Sequence, residues 1–274
     1  MRVENTCKKF YNQTHFLDQP RLLDAKKIRQ ERHNLFHHLI VSEKHKIMYC
    51  SIPNIASSNM KRIFLVLNGI YSDVRHVNIS MMNEEITRLE KFRGRQVSNM
   101  FRIYYKIMLV RDPFERLVSA YRNKWLGKEN AELHSTLGKM IVRRYRFNDS
   151  KSADPKGDDV KFIEYVRYLI DNPSKDVNEH WMSYHDLCRP CDVNYDFIGS
   201  IDTLSRDVSH AMGQINVDQT TVTGKTALIG TKNVIANFLK QLPKKDFDAL
   251  VEKFRFDHQL FGYEIPNYGK LHKR

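Results

Sequence analysis

The stretch VRDPFERLVSAYRNKW (110–125) contains residue types that can hold an anion. Its apolar start predicts a buried strand over 104–110, and the apolar spacing after Asp-Pro predicts a helix over 114–125. Arg111 therefore stands at the carboxyl end of a strand, where open α/β sheets bind ligands. Its planar guanidinium can donate two parallel hydrogen bonds to a phosphate, and Ser119 follows eight residues later. We expect Arg111 and Ser119 to bind a phosphate; the alternative is a surface arginine and a helical serine, each in water.

A second stretch, YCSIPNIASSNMKR (49–62), has the same order of elements. A buried strand over 46–52 leads into a loop of small residues, and a helix is expected over 59–67. Unpaired backbone N–H groups and the helix dipole make such a turn a phosphate cradle. The Walker A pattern GxxxxGK[ST] is absent, and the alternative is an ordinary turn capped by Ser58 or Asn59. The residues expected to line the cradle are Asn54, Ile55, Ala56, Ser57, Ser58 and Asn59.

These two strand–loop–helix units must be positioned by a common scaffold. Strand, loop and helix in that order, twice, indicate an α/β fold with a parallel sheet flanked by helices. A further short strand is expected over 195–199, and helices over 232–242 and 244–256. Residues 1–45 are polar and basic, with a helix predicted over 24–40.

The chain of 274 residues carries a net charge of +13, from 45 Lys and Arg against 32 Asp and Glu. This surplus favours anionic partners, although a basic solvated surface alone would give the same number. No apolar run approaches the roughly 20 residues that cross a bilayer, and the start lacks the apolar region of a signal peptide. The chain is therefore expected to be soluble. N-glycosylation sequences (sequons) at Asn12, Asn78 and Asn148 favour a secretory compartment.

Cysteine occurs four times, at Cys7, Cys50, Cys188 and Cys191. Only CRPC (188–191) has the CxxC spacing, so a Cys₄ zinc site is weakly supported. This CxxC lies in a predicted loop rather than at a strand-to-helix turn, which argues against a thioredoxin-like role. A structural disulfide or ordinary thiols are the favoured alternatives, and we expect no metal.

Four ordered motifs between about residue 46 and residue 263 resemble the Golgi carbohydrate sulfotransferases, closest to the group of the HNK-1 and chondroitin 4-O-sulfotransferases. VRDPFERLVSAYRNKW is similar to that family's 3′-phosphate segment, and YCSIPNIASSNMKR stands where it has its 5′-phosphosulfate loop. The stretches EHWMSYHDLCRPCDVNYDFIGSIDTL (179–204) and FRFDHQLFGY (254–263) resemble two further family segments.

The resemblance implies a P-loop-like sheet and transfer of a sulfuryl group from 3′-phosphoadenylyl sulfate (PAPS) to a carbohydrate hydroxyl. Residues 46–274 would form a single catalytic domain behind the basic segment 1–45. The acceptor would be an anionic or neutral glycan, such as a glycosaminoglycan or a glycoprotein glycan, with no nucleic acid and no metal. Family members act in the Golgi lumen behind a membrane anchor that this chain lacks, so a soluble or secreted form is the alternative. A nucleic-acid-binding protein is disfavoured because the interleaved aromatic and basic pattern of RNA modules is absent.

The loop departs from the family pattern at position 54. The family typically has a lysine after the proline, thought to meet the leaving group, where this chain has Asn54; it has glycine where this chain has Ala56. Asparagine donates a hydrogen bond but carries no charge, and losing one charged contact of this kind commonly costs about 10²–10³ in rate. Lys61 matches a second family lysine and is expected to compensate. The alternative is a weak or inactive relative that binds an acidic glycan or PAP, the 3′-phosphoadenosine 5′-phosphate that remains when PAPS loses its sulfuryl group.

For the base that takes the sugar proton, His180 is the leading candidate, because histidine transfers protons near neutral pH. The family has a similar His-Trp pair at this place. The alternatives are a histidine that merely packs beside Trp181, or His185 or Glu179 as the base.

Overall fold

The computed structural model describes residues 2–10, 33–127, 129–150, 154–172, 178–217 and 232–272. The strands are β1 (Leu39–Ser42), β2 (Ile47–Cys50), β3 (Tyr105–Val110) and β4 (Phe197–Ser200). The helices are α1 (Arg2–Phe10), α2 (33–38), α3 (Ser57–Leu67), α4 (Met82–Glu85), α5 (Gly94–Ile103), α6 (Pro113–Trp125), α7 (Ala131–Leu133), α8 (Lys139–Phe147), α9 (Phe162–Asp171), α10 (Tyr184–Cys188), α11 (Pro190–Val193), α12 (Leu204–Gln214), α13 (Lys232–Leu239), α14 (Lys244–Phe261) and α15 (Tyr268–His272). Short 3₁₀ turns lie at Val74–His76, Leu89–Lys91 and Ile201–Thr203, and a π-helical turn at His134–Gly138.

The strands form one sheet in the order β1-β2-β3-β4. Strand β2 pairs in parallel with β3, and β3 in parallel with β4. The predicted α/β fold is confirmed, but a wholly parallel sheet is wrong at one edge, because β1 runs antiparallel to β2. The connection over 43–46 is a tight turn, and a parallel pair would need a crossover of a dozen or more residues.

Burial explains why these segments become strands. Every residue of β1 and β2 is buried, and so is every residue of β3 after Tyr105. Strands covered on both faces read as continuous apolar runs, which is what the sequence shows at 107–110. Helix α3 packs against β1, and α12 packs against β4.

Most predicted elements are confirmed, with shifted ends. The helix expected over 59–67 starts earlier, at Ser57, and the strand expected over 195–199 lies at Phe197–Ser200. The helix predicted over 24–40 is wrong at its end, because Leu39 already belongs to β1 and pairs with Cys50. Residues 24–32 of that helix lie outside the described residues.

The chain divides into two compact units, Met1–Arg111 with Tyr184–Leu228 (unit 1) and Asp112–Ser183 with Ile229–Arg274 (unit 2). The sheet belongs to unit 1. In unit 2, α9 packs against α8 and α14, and α6 packs against α13 and α14. An aromatic cluster fills this helical core, in which Tyr121 contacts Phe162, Tyr165 and Phe238 at ring-centroid distances of 5.2 to 5.5 Å.

Within the described ranges, no helix combines the length and the apolar character needed to cross a membrane.

Candidate functional site

The carboxyl ends of two neighbouring parallel strands meet at one edge of the sheet in unit 1. Cys50, the last residue of β2, pairs with Met108, and β3 continues to Val110. The loop over 51–56 therefore leaves the sheet beside Arg111, which follows β3 directly. The predicted cradle and the predicted phosphate-binding arginine both lie at this edge.

Backbone geometry sets the shape of the cradle. Asn54 and Ala56 both have left-handed conformations, with φ of 66° and 50°, while Ile55 between them is fully buried. Ala56 is the N-cap residue of α3, and its carbonyl accepts hydrogen bonds from the N–H groups of Asn59 and Met60 at 3.0 and 3.1 Å. The loop is therefore held from inside by a buried apolar side chain.

The helix start has no side-chain cap, so Ser58 and Asn59 do not act as N-caps. Both residues lie in the first turn of α3, after Ser57, rather than in the loop. The first N–H groups of a helix have no acceptor one turn earlier and carry the positive end of the helix dipole. The Asn59 N–H already donates to the Ala56 carbonyl, so the N–H groups of Ser57 and Ser58 are the ones that can face an anion. This arrangement can receive an anion at the start of α3.

Lys61 lies one turn further along α3. Its ammonium group donates to Asn83 Oδ1 at 2.8 Å, and Arg88 donates to the backbone oxygen of Asn83 at 2.9 Å. An amide is a neutral acceptor, so neither cation is neutralised by this contact. Lys61 thus places a cationic side chain in the first turns of α3.

Helix α10 joins the two strand ends. The Tyr184 hydroxyl accepts from the Arg111 N–H at 3.0 Å and donates to the Arg111 carbonyl at 2.8 Å. At the other end of α10, Cys188 forms a disulfide with Cys50 at the end of β2. Tyr184 is completely buried. One short helix therefore fixes the chain directly after β3 and directly before the cradle, a role that sequence reasoning missed.

In unit 2, α6 begins with Asp112 as its N-cap. The Asp112 carboxylate accepts from the N–H groups of Phe114 and Glu115 at 2.9 and 3.0 Å, and burial raises its pKa above the ordinary value. Ser119 lies nearly two turns into this helix and is half-buried. The Asp112 carboxylate is therefore engaged in capping the start of α6.

His180, also in unit 2, is oriented by Asn178. Asn178 Oδ1 accepts from the backbone N–H of His180 at 3.0 Å and contacts ring Nδ1 at 2.6 Å. Because this oxygen is an acceptor, the proton of the neutral ring sits on Nδ1, and Nε2 is left as the proton-accepting nitrogen. A base that takes a proton through Nε2 needs this tautomer.

A buried arginine holds the segment that carries His180. Arg116 of α6 donates to the carbonyls of Met182 and Glu179, at 2.5 and 2.8 Å. Trp181, only 1% exposed, stacks on Trp125 at 6.1 Å between ring centroids. A charged residue on the apolar face of α6 was a signal for such a buried contact, and sequence reasoning missed it.

The alternative bases differ in their surroundings. Glu179 Oε1 lies 4.0 Å from His180 Nδ1, so it faces the protonated side of the ring. His185 belongs to α10 in unit 1. The contacts of His180 with Asn178 set the tautomer that proton uptake through Nε2 requires.

The cysteines of CRPC form disulfides, but with distant partners: Cys188 with Cys50, and Cys191 with Cys7. Arg189, in a left-handed conformation with φ of 46°, turns the chain between α10 and α11. The two cysteines therefore stand on separate helices, and of the two expected alternatives the structural disulfide is confirmed, although not within CRPC itself. Among the described residues, no cluster of His, Cys, Asp and Glu suits a metal ion.

Comparison with known proteins gives this geometry a context. The profile of the "Sulfotransferase family" matches residues 37–264. Carbohydrate sulfotransferase 11 of Rattus norvegicus is 35% identical over 247 residues, covering 85% of this chain and 69% of that protein. Carbohydrate sulfotransferase 14 of Danio rerio is 35% identical over 241 residues, covering 86% of this chain and 65% of that protein.

Carbohydrate sulfotransferase 9 of Homo sapiens is 32% identical over 249 residues, covering 85% of this chain and 55% of that protein. The chain thus spans between 55% and 69% of the length of these three relatives. No solved structure matches the chain. The family match extends across both strand ends and both candidate segments, and the chain therefore belongs to the sulfotransferase family.

Proposed function

We propose that this sulfotransferase transfers a sulfuryl group from PAPS to a hydroxyl group of a carbohydrate. The observation that carries the proposal is the paired strand ends of unit 1, where an uncapped helix start and an arginine follow neighbouring parallel strands. Two anion-binding turns side by side fit a donor with two separate phosphate groups. The similarity to carbohydrate sulfotransferases supports a sugar as acceptor.

For the donor, we assign the 5′-phosphosulfate to the cradle and the 3′-phosphate to Arg111 and Ser119. The cradle residues are Asn54, Ile55, Ala56, Ser57, Ser58 and Asn59, and their contribution is mainly through backbone N–H groups. Tyr184 supports this assignment by holding both backbone polar groups of Arg111. The guanidinium then starts from a fixed strand end, which lowers the entropic cost of binding.

For the transfer, we assign His180 as general base and Lys61 as the cation that assists the leaving group. His180 Nε2 takes the proton of the sugar hydroxyl as that oxygen bonds to sulfur. The bond between sulfur and the bridging phosphate oxygen breaks, and PAP leaves with the electron pair. Lys61 offsets the negative charge that develops on the leaving oxygen, the role for which Asn54 supplies only a neutral donor.

For the setting, we propose the Golgi lumen and a catalytic region over 46–274. Two disulfides among the described residues support an oxidising compartment. The sequon asparagines Asn78 and Asn148 are both exposed, as glycan acceptors must be, while Asn12 lies outside the described residues. The net charge of +13 supports an anionic glycan as acceptor.

The test is a transfer assay with labelled PAPS over a panel of desulfated glycosaminoglycans and neutral glycans. We expect label in at least one glycan, and loss of transfer in His180→Ala with PAP binding retained. Arg111→Ala should weaken PAP binding by about 2–4 kcal/mol, the scale of a lost charge-assisted contact, while the exposed Arg122→Ala should not. Wild-type protein that binds PAP but labels no glycan would contradict the proposed acceptor class.

A further inference from the structure

Unit 1 contains a cavity of about 810 Å³. It lies where the parallel strands begin, whereas the cradle lies where they end. Its walls come from α5 and from residues 192–196, which lead into β4. We propose that this cavity binds an acidic saccharide, as a second site separate from the donor site. Its volume falls in the range of sites for small organic ligands.

Two of the lining residues show where the cavity lies along the strands. Lys106 is the second residue of β3, and Asp196 directly precedes β4, so the cavity lies at the amino ends of the parallel strands. Arg111 stands five residues after Lys106, roughly 17 Å away along an extended strand. The cavity and the predicted phosphate contacts therefore cannot share one small ligand.

Three phenylalanines supply the apolar part of the wall. Phe36, Phe92 and Phe101 line the cavity and are half-buried, and the rings of Phe36 and Phe101 pack at 6.1 Å between centroids. A pyranose ring presents faces of C–H bonds, which pack well against aromatic rings. Aromatic walls with a few polar groups are typical of sites that bind such ligands.

The carboxylates of the lining are already neutralised. Asp196 pairs with the ammonium group of Lys106 at 2.8 Å, and Asp192 pairs with Arg189 at 3.2 Å. Lys106 is buried and also donates to the Tyr104 carbonyl at 3.1 Å, so this ion pair forms a fixed part of the wall. Neither acidic residue is left to repel an anion.

Two arginines of the lining remain as a positive surplus. Arg93 is exposed and has no carboxylate partner in the part of the chain that the structure describes. Arg102 donates to Asn99 Oδ1 at 2.9 Å, a neutral acceptor. A guanidinium matches the planar geometry of carboxylates and the oxygens of sulfate esters. Aromatic walls with two unneutralised arginines fit a saccharide that carries such groups.

The choice of a saccharide over other organic anions rests on the proposed function, which gives this protein a glycan acceptor. The binding itself does not depend on transfer. A glycan held here would be anchored by a segment other than the sugar that receives the sulfuryl group.

The first experiment measures binding of an unsulfated chondroitin hexasaccharide by calorimetry, with PAP present at saturation. We expect Arg93→Ala/Arg102→Ala to weaken binding by about tenfold or more, since two charge-assisted contacts are lost. The matched control for each of the single variants Arg93→Ala and Arg102→Ala is Arg95→Ala in α5, which removes the same one charge but does not line the cavity. Equal weakening in the control would show diffuse electrostatic attraction and would overturn the site.

The second experiment fills the cavity without changing its charge. Ser98 lines it, and Ser98→Trp should reduce hexasaccharide binding by about tenfold, whereas Gln96→Trp on an exposed position of α5 should not. A carboxyl-reduced hexasaccharide should bind weakly to wild type. Unchanged binding in Ser98→Trp, or full binding of the reduced sugar, would contradict the proposal.

PAP affinity measured on every variant distinguishes a separate saccharide site from a cavity that serves the nucleotide. Retained PAP affinity with lost saccharide binding supports the second site; lost PAP affinity would show that the cavity serves the nucleotide and would overturn it. Wild-type protein that binds the hexasaccharide but transfers no label to any glycan would contradict the proposed function while leaving this site intact.

Discussion

At the scale of single residues, the contacts around Arg111 show how the side chain proposed to bind the 3′-phosphate is supported. The backbone of Arg111 is held on both sides by the side chain of another residue. Tyr184 satisfies the N–H and the carbonyl of Arg111 with one buried hydroxyl. Removing the partner of partly buried backbone groups costs stability, so we expect this hydroxyl to stabilise the fold and to position Arg111 for the proposed phosphate contact.

Tyr184→Phe tests that role. We expect the free energy of unfolding to fall by about 1–3 kcal/mol, because two buried backbone groups lose their partner. PAP affinity should fall as well, while kcat at saturating PAPS stays near the wild-type value. Urea unfolding, calorimetry and initial rates measure the three quantities. Tyr145→Phe, which removes an exposed hydroxyl contact to Asp171, is the control; equal PAP affinity in both variants would contradict the positioning role.

Asn54 is the second residue whose type matters. It has a left-handed φ of 66°, which asparagine tolerates better than most residues. In the proposed binding mode a lysine here would add a charge beside the leaving group, but lysine adopts this left-handed conformation at a higher free-energy cost than asparagine. Asparagine at this position therefore adopts the left-handed turn at low cost but carries no charge.

Asn54→Lys is expected to raise the transfer rate by up to about 10²-fold, because a charged contact to the leaving group is restored. Stability should fall slightly. Asn54→Met, of similar length but without charge, is the control, and steady-state rates with labelled PAPS give the comparison. If lysine and methionine give equal rates, position 54 does not face the leaving group.

At the scale of elements, the start of α3 carries backbone strain. Ala56 has a left-handed conformation with φ of 50° and ψ of 24°, which costs an L-residue roughly 1–2 kcal/mol. The buried Ile55 holds it there. Strain of this kind persists only where the surrounding structure determines it, as at sites that bind ligands.

Ala56→Gly should therefore stabilise the protein, by up to about 1 kcal/mol, because relief of strain exceeds the added entropy of the unfolded chain. Thermal and urea unfolding measure the change. The control is Ala249→Gly in the middle of α14, which should destabilise by about 1 kcal/mol. A loss of stability at position 56 would show that the alanine is not strained.

At the scale of the whole molecule, distant parts of the sequence are tied together. Unit 1 is built from two separate chain segments, and two disulfides join them, Cys50 to Cys188 and Cys7 to Cys191. Such links stabilise mainly by restricting the unfolded chain, by about 4–5 kcal/mol for loops of 100 residues or more. Reducing conditions should therefore weaken the unit that carries the cradle.

Unit 2 contains two neighbouring titratable groups, the buried His258 and the half-buried Asp112. Burial lowers the pKa of His258 below its ordinary value of 6.5. Its ring packs edge-on against Phe114 at 4.8 Å, and Nδ1 contacts the Phe254 carbonyl at 3.0 Å. Below pH 6.5 the unfolded chain binds a proton that the folded chain resists, so folding stability falls as the pH drops.

We therefore expect the free energy of unfolding to decrease between pH 7 and pH 5.5, by at most about 1.4 kcal/mol per pH unit from this group. His258→Gln should flatten the dependence, because a neutral side chain replaces the titrating ring. The exposed His76→Gln should leave it unchanged. A pH profile identical in wild type and His258→Gln would contradict the assignment.

The sequence by itself determined the parts of the site that depend on local order. Apolar runs ending at loops located β2 and β3, and the residues after them located the cradle and Arg111. These signals are local because a strand buried on both faces must be continuously apolar. Helix α6 could likewise be predicted from the sequence, because its first-position proline and its apolar spacing occur within one segment.

Only the tertiary structure decided the contacts that join distant segments. The antiparallel β1, the partners of Cys188 and Cys191, and the bonds of Tyr184 to Arg111 link residues separated by many positions. No local pattern encodes such partners, because they depend on which surfaces meet after the sheet forms. The sequence could name the residues that we propose to bind an anion; the folded chain alone shows what holds them in place.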